Sequence, residues 1–139
     1  ARVLLQAKGV WSDAETAVAV NRSIFGSEEL PAPTGALAKR AVAWLAANHA
    51  RAVTRWQLAE AVGASEDYLC RVFRRELGLS PWEYLTRYRV HRAGELLKTT
   101  GEGVKAIAAQ VGFRDAAYFS RVFRRITGSP PRMSRSTPS

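Results

Sequence analysis

The feature that most narrows what this chain can fold into is a duplication. Residues 68–78 read YLCRVFRRELG and residues 118–128 read YFSRVFRRITG, with seven of the eleven positions identical. Average residue usage gives fewer than about one match by chance, so the register between the copies is secure. Upstream the offset changes by one: Leu58-Ala59 and Val62-Gly63 align with Ile107-Ala108 and Val111-Gly112. The second copy therefore has one extra residue in its turn, Phe113-Arg114-Asp115 against Ala64-Ser65. Each copy spells a short helix, a glycine-containing turn and a longer helix, the order of a helix-turn-helix. Ala59 and Ala108 are small where two helices must approach, and Gly63 and Gly112 fall where the chain leaves the first helix with a positive φ.

Around the repeat the start and stop signals predict an all-α fold: two helix-turn-helix subdomains joined by a long connecting helix, about seven helices in all. Thr34 opens a helix whose apolar residues Leu37, Ala41, Trp44 and Leu45 recur at three and four. Thr54 with Gln57 forms a capping-box pattern for a short helix ending near Val62-Gly63. Ser65 caps the next helix, which runs to about Leu77 and stops at Gly78. Ser80-Pro81-Trp82-Glu83 combines a cap serine, a proline at the first helical position and a glutamate at the third. The helix it opens runs to about Lys98. Gly101 and Gly103 break it, and helices over about 104–111 and 115–127 follow.

Residues 31–35, with two prolines, mark the clearest boundary. The expected organisation is a linker or tail end of a preceding regulatory domain over 1–33, a double helix-turn-helix unit over 34–135, and a frayed tail over 136–139. Within the unit the first reader spans 54–78, the connecting helix 81–98 and the second reader 103–128. Residues 3–6 fit a short strand, and Ser12-Asp13-Ala14-Glu15 fits a capping box opening a helix to about Asn21. That leading piece has no obvious core of its own, so an excised part of a longer protein is the expectation.

Charge then points to a partner. The 139-residue chain carries a formal +9, but residues 1–33 have three Lys/Arg and four Asp/Glu, leaving eighteen basic and eight acidic side chains in 34–139. A unit that basic attracts a polyanion, and nucleic acid is the commonest soluble one. One cysteine and two histidines exclude a zinc finger and a disulfide scaffold. No cofactor or metal is expected, and no phosphate-cradling loop or nucleophile–base arrangement suggests an enzyme. With no stretch of about 18 apolar residues and no leader pattern, a reducing cytoplasmic compartment is the expectation. A basic helical module for protein interaction or a membrane surface is the competing reading.

Helical spacing sorts the duplicated helices into faces. Leu69, Val72 and Phe73, like Phe119, Val122 and Phe123, turn inward. The outward face carries Asp67, Cys70, Arg71 and Arg74 in one copy and Ala117, Ser120, Arg121 and Arg124 in the other. Arg114, in the turn before the second long helix, completes the candidate set. Such a face suits a DNA major groove, because a guanidinium fork bonds O6 and N7 of guanine together or grips a phosphate. Asp67 has two readings, an acceptor for cytosine N4 or part of the helix start beside Ser65. Cys70 reads as a small hydrophobe rather than a redox sensor. Arg75 and Arg125 sit further round. Trp44, Trp56 and Trp82 read as packing residues in preference to stacking platforms. On the connecting helix Arg87, Arg89 and Arg92 stand as equal candidates for contact with phosphate or another protein.

These residues resemble the C-terminal DNA-binding domain of the AraC/XylS transcription regulators, over about 37–133. The signature segment is similar to Ile107-Ala-Ala-Gln-Val-Gly-Phe113, followed by Asp115, Tyr118, Phe119, Arg121, Phe123, Gly128 and Pro131. The resemblance implies two helix-turn-helix subdomains on double-stranded promoter DNA, activation of transcription through RNA polymerase, and a sensing or dimerisation domain upstream. One departure stands out: where the family usually has an aromatic three residues past the closing proline, this chain has Ser134, after Met133.

Overall fold

The computed structural model describes residues 13–31 and 33–134. The strand expected over 3–6, the cap at Ser12 and the tail over 136–139 lie outside them. The described residues form seven α-helices and no strand. These are α1 (Asp13–Phe25), α2 (Ala36–Asn48), α3 (Arg55–Val62), α4 (Glu66–Leu77), α5 (Pro81–Thr99), α6 (Val104–Gln110) and α7 (Ala116–Thr127). A 3-10 turn, Pro131–Ser134, closes the chain onto α5 and α7.

Local chemistry explains most of the ends. At α3 the Gln57 amide donates to Thr54 Oγ1 at 3.2 Å while the Thr54 amide donates to Gln57 Oε1 at 2.9 Å. At α5 the Glu83 amide donates to Ser80 Oγ at 3.1 Å, and the Ser80 amide to Glu83 Oε1 at 2.9 Å. Each cap is worth about 1 kcal/mol, because it satisfies amides the helix itself leaves unpaired. The α7 start uses Asp115, whose Oδ1 accepts from the amides of Ala117 and Tyr118 at 2.8 and 3.3 Å. At α2 Thr34, expected to begin the helix, turns back to the Pro31 carbonyl instead, and the helix begins two residues later behind Gly35.

Two apolar cores hang from the single helix α5. Leu45, Leu58, Leu69 and Phe73 gather around Tyr84, Leu85 and Tyr88 of its first half. Ile107, Phe119, Val122 and Phe123 gather around Val90, Ala93 and Leu97 of its second half. The switch between cores falls between Tyr88 and Val90, so residue 89 sits at the seam. Burying each phenylalanine in these clusters contributes roughly 1.5–3 kcal/mol.

The leading segment differs from its expectation. α1 extends to Phe25, four residues beyond the expected end, and lies against α5. Val20 enters the first core, the Tyr84 hydroxyl donates to Asn21 Oδ1 at 3.1 Å, and Thr16 Oγ1 donates to Glu95 Oε2 at 3.1 Å. Thr16 opposite Glu95 and Asn21 opposite Tyr84 make α1 antiparallel to α5. Its apolar stripe Ala17, Val20, Ile24 finds its core in a helix far along the chain, which is why the segment looks coreless by itself.

Candidate nucleic-acid interface

The amphipathic sorting of α4 and α7 leaves the arginines of each helix on its outer surface. Arg71, Arg74, Arg121 and Arg124 are exposed, as are Asp67, Ala117 and Arg114, whereas Cys70 and Ser120 are half-buried at equivalent positions. Cys70 borders a small apolar hollow with Leu58, Leu69, Pro81 and Trp82, the surroundings of a small hydrophobe. Asp67 stands exposed in the first turn of α4, while Ser65 takes the cap by accepting from the Tyr68 amide at 3.2 Å.

The structure adds one residue to each face that the sequence reading passed over. Tyr68 and Tyr118 are 48% and 49% exposed, large rings left in solvent at matching positions. In both copies the guanidinium three residues on lies over the ring, with Arg71 Cζ and Arg121 Cζ each 5.8 Å from the centroid. Cation–π contact at this distance steadies the guanidinium without neutralising it. The signal was present in the repeat, where the Tyr-x-x-Arg spacing recurs unchanged. Trp56 also departs from its expectation: it is 56% exposed. The inner face of the short helix α3 is already filled by Leu58, Ala59 and Val62. Trp44 and Trp82 are half-buried against the first core, with Arg51 and Arg55 over their rings at 5.4 and 5.9 Å.

The two faces share a geometry but not a charge. α4 carries Arg71, Arg74 and Arg75 against Glu66, Asp67 and Glu76, whereas α7 carries Arg121, Arg124 and Arg125 with no acid. Further, Arg74 Nη2 meets Glu83 Oε1 at 3.2 Å, and Arg75 lies 3.7 Å from Glu76. The Ser80 backbone amide, with Arg74 beside it, holds the Glu83 carboxyl below its usual range. In the repeat the position of Glu83 is taken by Met133. Among the described residues no acid forms an ion pair with Arg121, Arg124 or Arg125.

Beside the α7 face runs an open groove of about 490 Å³, lined by Thr86 of α5, Val53, Arg114, Tyr118 and Arg121 among others. Of the three arginines left equal on α5, only Arg87 is exposed. Arg89 donates to two backbone carbonyls, and Arg92 pairs with the buried Glu95 at 3.2 Å. Burial pushes the Tyr84 hydroxyl up to about 12, which keeps it a proton donor to Asn21. Among the described residues no group of His, Cys, Asp or Glu is placed to hold a metal ion. No helix of theirs is long and apolar enough to cross a membrane.

Comparison with known proteins bears on the family and the fold. A family model described as a helix-turn-helix domain matches residues 58–137. The transcriptional activator RhaS of Escherichia fergusonii is 36% identical over 102 residues, 73% of this chain and 37% of that protein. An AraC-type DNA-binding-domain regulator from Chromobacterium violaceum superposes with a TM-score of 0.69 at 29% identity, covering 74% of this chain and 95% of that one. The DNA-binding domain of AdpA, a global transcriptional factor solved with a target DNA, gives a TM-score of 0.66 at 30% identity, covering 70% and 87%. The chain spans about a third of the length of the curated relatives it matches.

Proposed function

Because the chain belongs to the AraC/XylS family of helix-turn-helix regulators, we propose that its described helices read two successive major grooves of double-stranded DNA, with α4 in one and α7 in the next. The observation that carries this is the repeated exposed Tyr-x-x-Arg-x-x-Arg face on two helices hung from one connecting helix. A single helix-turn-helix ordinarily needs a dimer to read two half-sites; here the second reader is covalent. The 19-residue helix α5 is about 28 Å long, near the ~34 Å turn of DNA once its flanking turns are added. A connector slightly off that length favours DNA with flexible steps between half-sites.

In this reading Arg71 and Arg121 reach base edges or the phosphates beside them, Arg74 and Arg124 grip the backbone, and Arg114 holds the strand that crosses the groove. Asp67, Cys70, Ala117 and Ser120 complete the surface facing the bases. Residues 34–135 are the DNA-binding unit, with α1 seated on it from the preceding segment. An upstream sensing or dimerisation domain, contact with RNA polymerase and a place on the cytoplasmic nucleoid belong to the same proposal.

Selection of bound duplexes from a random pool about 25 base pairs long, enough for two half-sites a turn apart, tests it. Affinities of the winners at several salt concentrations separate base reading from charge attraction. Two short blocks about one turn apart, bound by a monomer, are the expected result. Steep salt dependence with no enriched sequence would refute base reading and leave a polyanion or membrane-surface module.

A further inference from the structure

The two subdomains are joined at a second point besides the covalent path of α5. Arg89 lies at the seam between the cores, and its guanidinium reaches toward both. Nε donates to the His49 carbonyl at 2.8 Å and Nη2 to the Arg51 carbonyl at 3.0 Å. These carbonyls lie at and just past the C-terminal end of α2, where the helix dipole is negative and intrahelical donors are absent. The same guanidinium lies 5.9 Å from the ring centroid of Phe113, in the turn of the second helix-turn-helix. That turn approaches closely: a Cβ on Gly112 would stand 2.5 Å from the His49 carbonyl oxygen and 2.8 Å from Arg89 Nε. The equivalent Gly63 in the first copy has nothing within 4 Å.

We propose that Arg89, seated against the bare edge of Gly112, is a positioning residue: it locks the second helix-turn-helix onto the end of α2 and so sets the spacing between half-sites that the chain accepts. The proposal rests on the two-groove reading for its consequence on DNA, and on geometry alone for the lock. The residue must be arginine because one planar group has to bond two carbonyls and present a face to an aromatic ring; a lysine supplies one point charge and no face. With Nε and Nη2 each donating to a backbone carbonyl, the role proposed for Arg89 is to set the angle between α4 and α7. Without it the readers stay tethered by α5 but no longer hold one orientation. A loosened connection lowers the effective concentration of the second reader at its half-site and widens the range of spacings it can reach.

Two readouts test this on the full chain, using Arg89→Met, which keeps the apolar contact with Phe113, and Arg89→Lys. The first is the distance distribution between spin labels on Arg75→Cys and Arg125→Cys in a Cys70→Ser background, on the outer sides of α4 and α7. The parent should give one narrow distance, Arg89→Met a distribution at least about twice as broad, and Arg89→Lys a width in between. The second is affinity for duplexes whose half-sites are moved apart by single base pairs. The parent should show one sharp optimum. Arg89→Met should lose about tenfold at that optimum, stay within about twofold on an isolated half-site, and bind neighbouring spacings nearly as well as the optimal one. A label-distance distribution of parental width in a folded Arg89→Met overturns the lock whatever the DNA result. If Arg89→Met does not fold, Arg89→Lys decides, and parental width and spacing profile there overturn it. Failure of the parent to enrich any two-block site would instead defeat the two-groove reading and leave the label measurement standing.

Discussion

Replacing the turn glycine by alanine in each copy of the repeat should give two very different losses of stability, although the residues are equivalent in sequence. Gly63 has φ +73° and ψ 36°, at the C-cap of α3, with open space where a Cβ would go. Gly63→Ala therefore meets only the penalty of an L-residue in the left-handed region, about 1–2 kcal/mol. Gly112 has φ +99°, and its Cβ would fall 2.5 Å from a backbone carbonyl oxygen and 2.9 Å from Arg89 Cζ. The carbonyl is not the end of a flexible side chain, so the turn must move away from α2 and the Arg89 hydrogen bonds must stretch. Hydrogen bonds from a charged donor are worth ~1.5–3 kcal/mol each, and partial loss of them brings Gly112→Ala to about 3–5 kcal/mol. For a domain near this size the melting temperature should fall by roughly 6 °C for Gly63→Ala and roughly 15 °C for Gly112→Ala. Urea unfolding of the parent and both variants, followed by circular dichroism, measures the difference directly. Equal losses would refute the reasoning, since the left-handed penalty would then be the whole effect and the second turn would not be held against α2.

Three further outcomes follow from the same geometry. Arg121→Ala should cost about 1–3 kcal/mol at a selected site and relax preference at one or two base positions, read from a panel of single-base variants; equal weakening on every sequence would make it a phosphate ligand. Glu83→Gln keeps the capping box but releases Arg74, so the slope of log affinity against log salt should steepen by about one while the melting temperature holds. The Glu95 carboxyl is raised above its ordinary value near 4.5 by burial, against the opposing bonds from Thr16 and Arg92, and Oε1 has no partner. A raised carboxyl holds its proton more tightly in the folded chain, so stability is fullest below about 4.5 and declines as pH rises through the folded pKa. Glu95→Gln should remove that decline, its advantage over the parent growing with pH and vanishing in acid; a constant difference from about pH 4 to about pH 8 would contradict this.

What was legible in the sequence is what local chemistry decides. The ends of α3, α4 and α5 follow from Thr54 with Gln57, Ser65, Ser80 with Glu83, and the glycines behind them, because caps act within four residues. The inward faces of α4 and α7 follow from spacing for the same reason. What escaped depends on partners far along the chain. Thr16 and Glu95 are 79 positions apart, and no pattern near Thr16 announces that α1 will lie on α5. Arg89 and Arg92 look like surface cations until the carbonyls of His49 and Arg51 and the carboxylate of Glu95 come into view. Trp56 looked like packing until three small or aliphatic neighbours had filled the inner face of a two-turn helix. Spacing also placed Arg74 and Arg124 on matching faces, but not the acid that meets only one of them.

That last difference carries a consequence for how the two readers divide their work. Duplication made α4 and α7 alike in shape, with the same buried valine and phenylalanine and the same tyrosine under an arginine. Charge then diverged. α4 is neutral in sum, and Glu83 already occupies one of its arginines; α7 keeps three arginines with no acid on the helix. On a polyanion the counterions released scale with the cations that meet phosphate. On the two-groove proposal, most of the non-specific, salt-sensitive grip would therefore fall to α7, together with Arg114 beside it. α4, held close to neutral, gains little from any phosphate it meets and depends more on matching bases. On the same proposal, two copies of one motif would act unequally, α7 as the electrostatic anchor and α4 as the more discriminating reader, with the proposed lock at Arg89 making the choice of one constrain the register of the other.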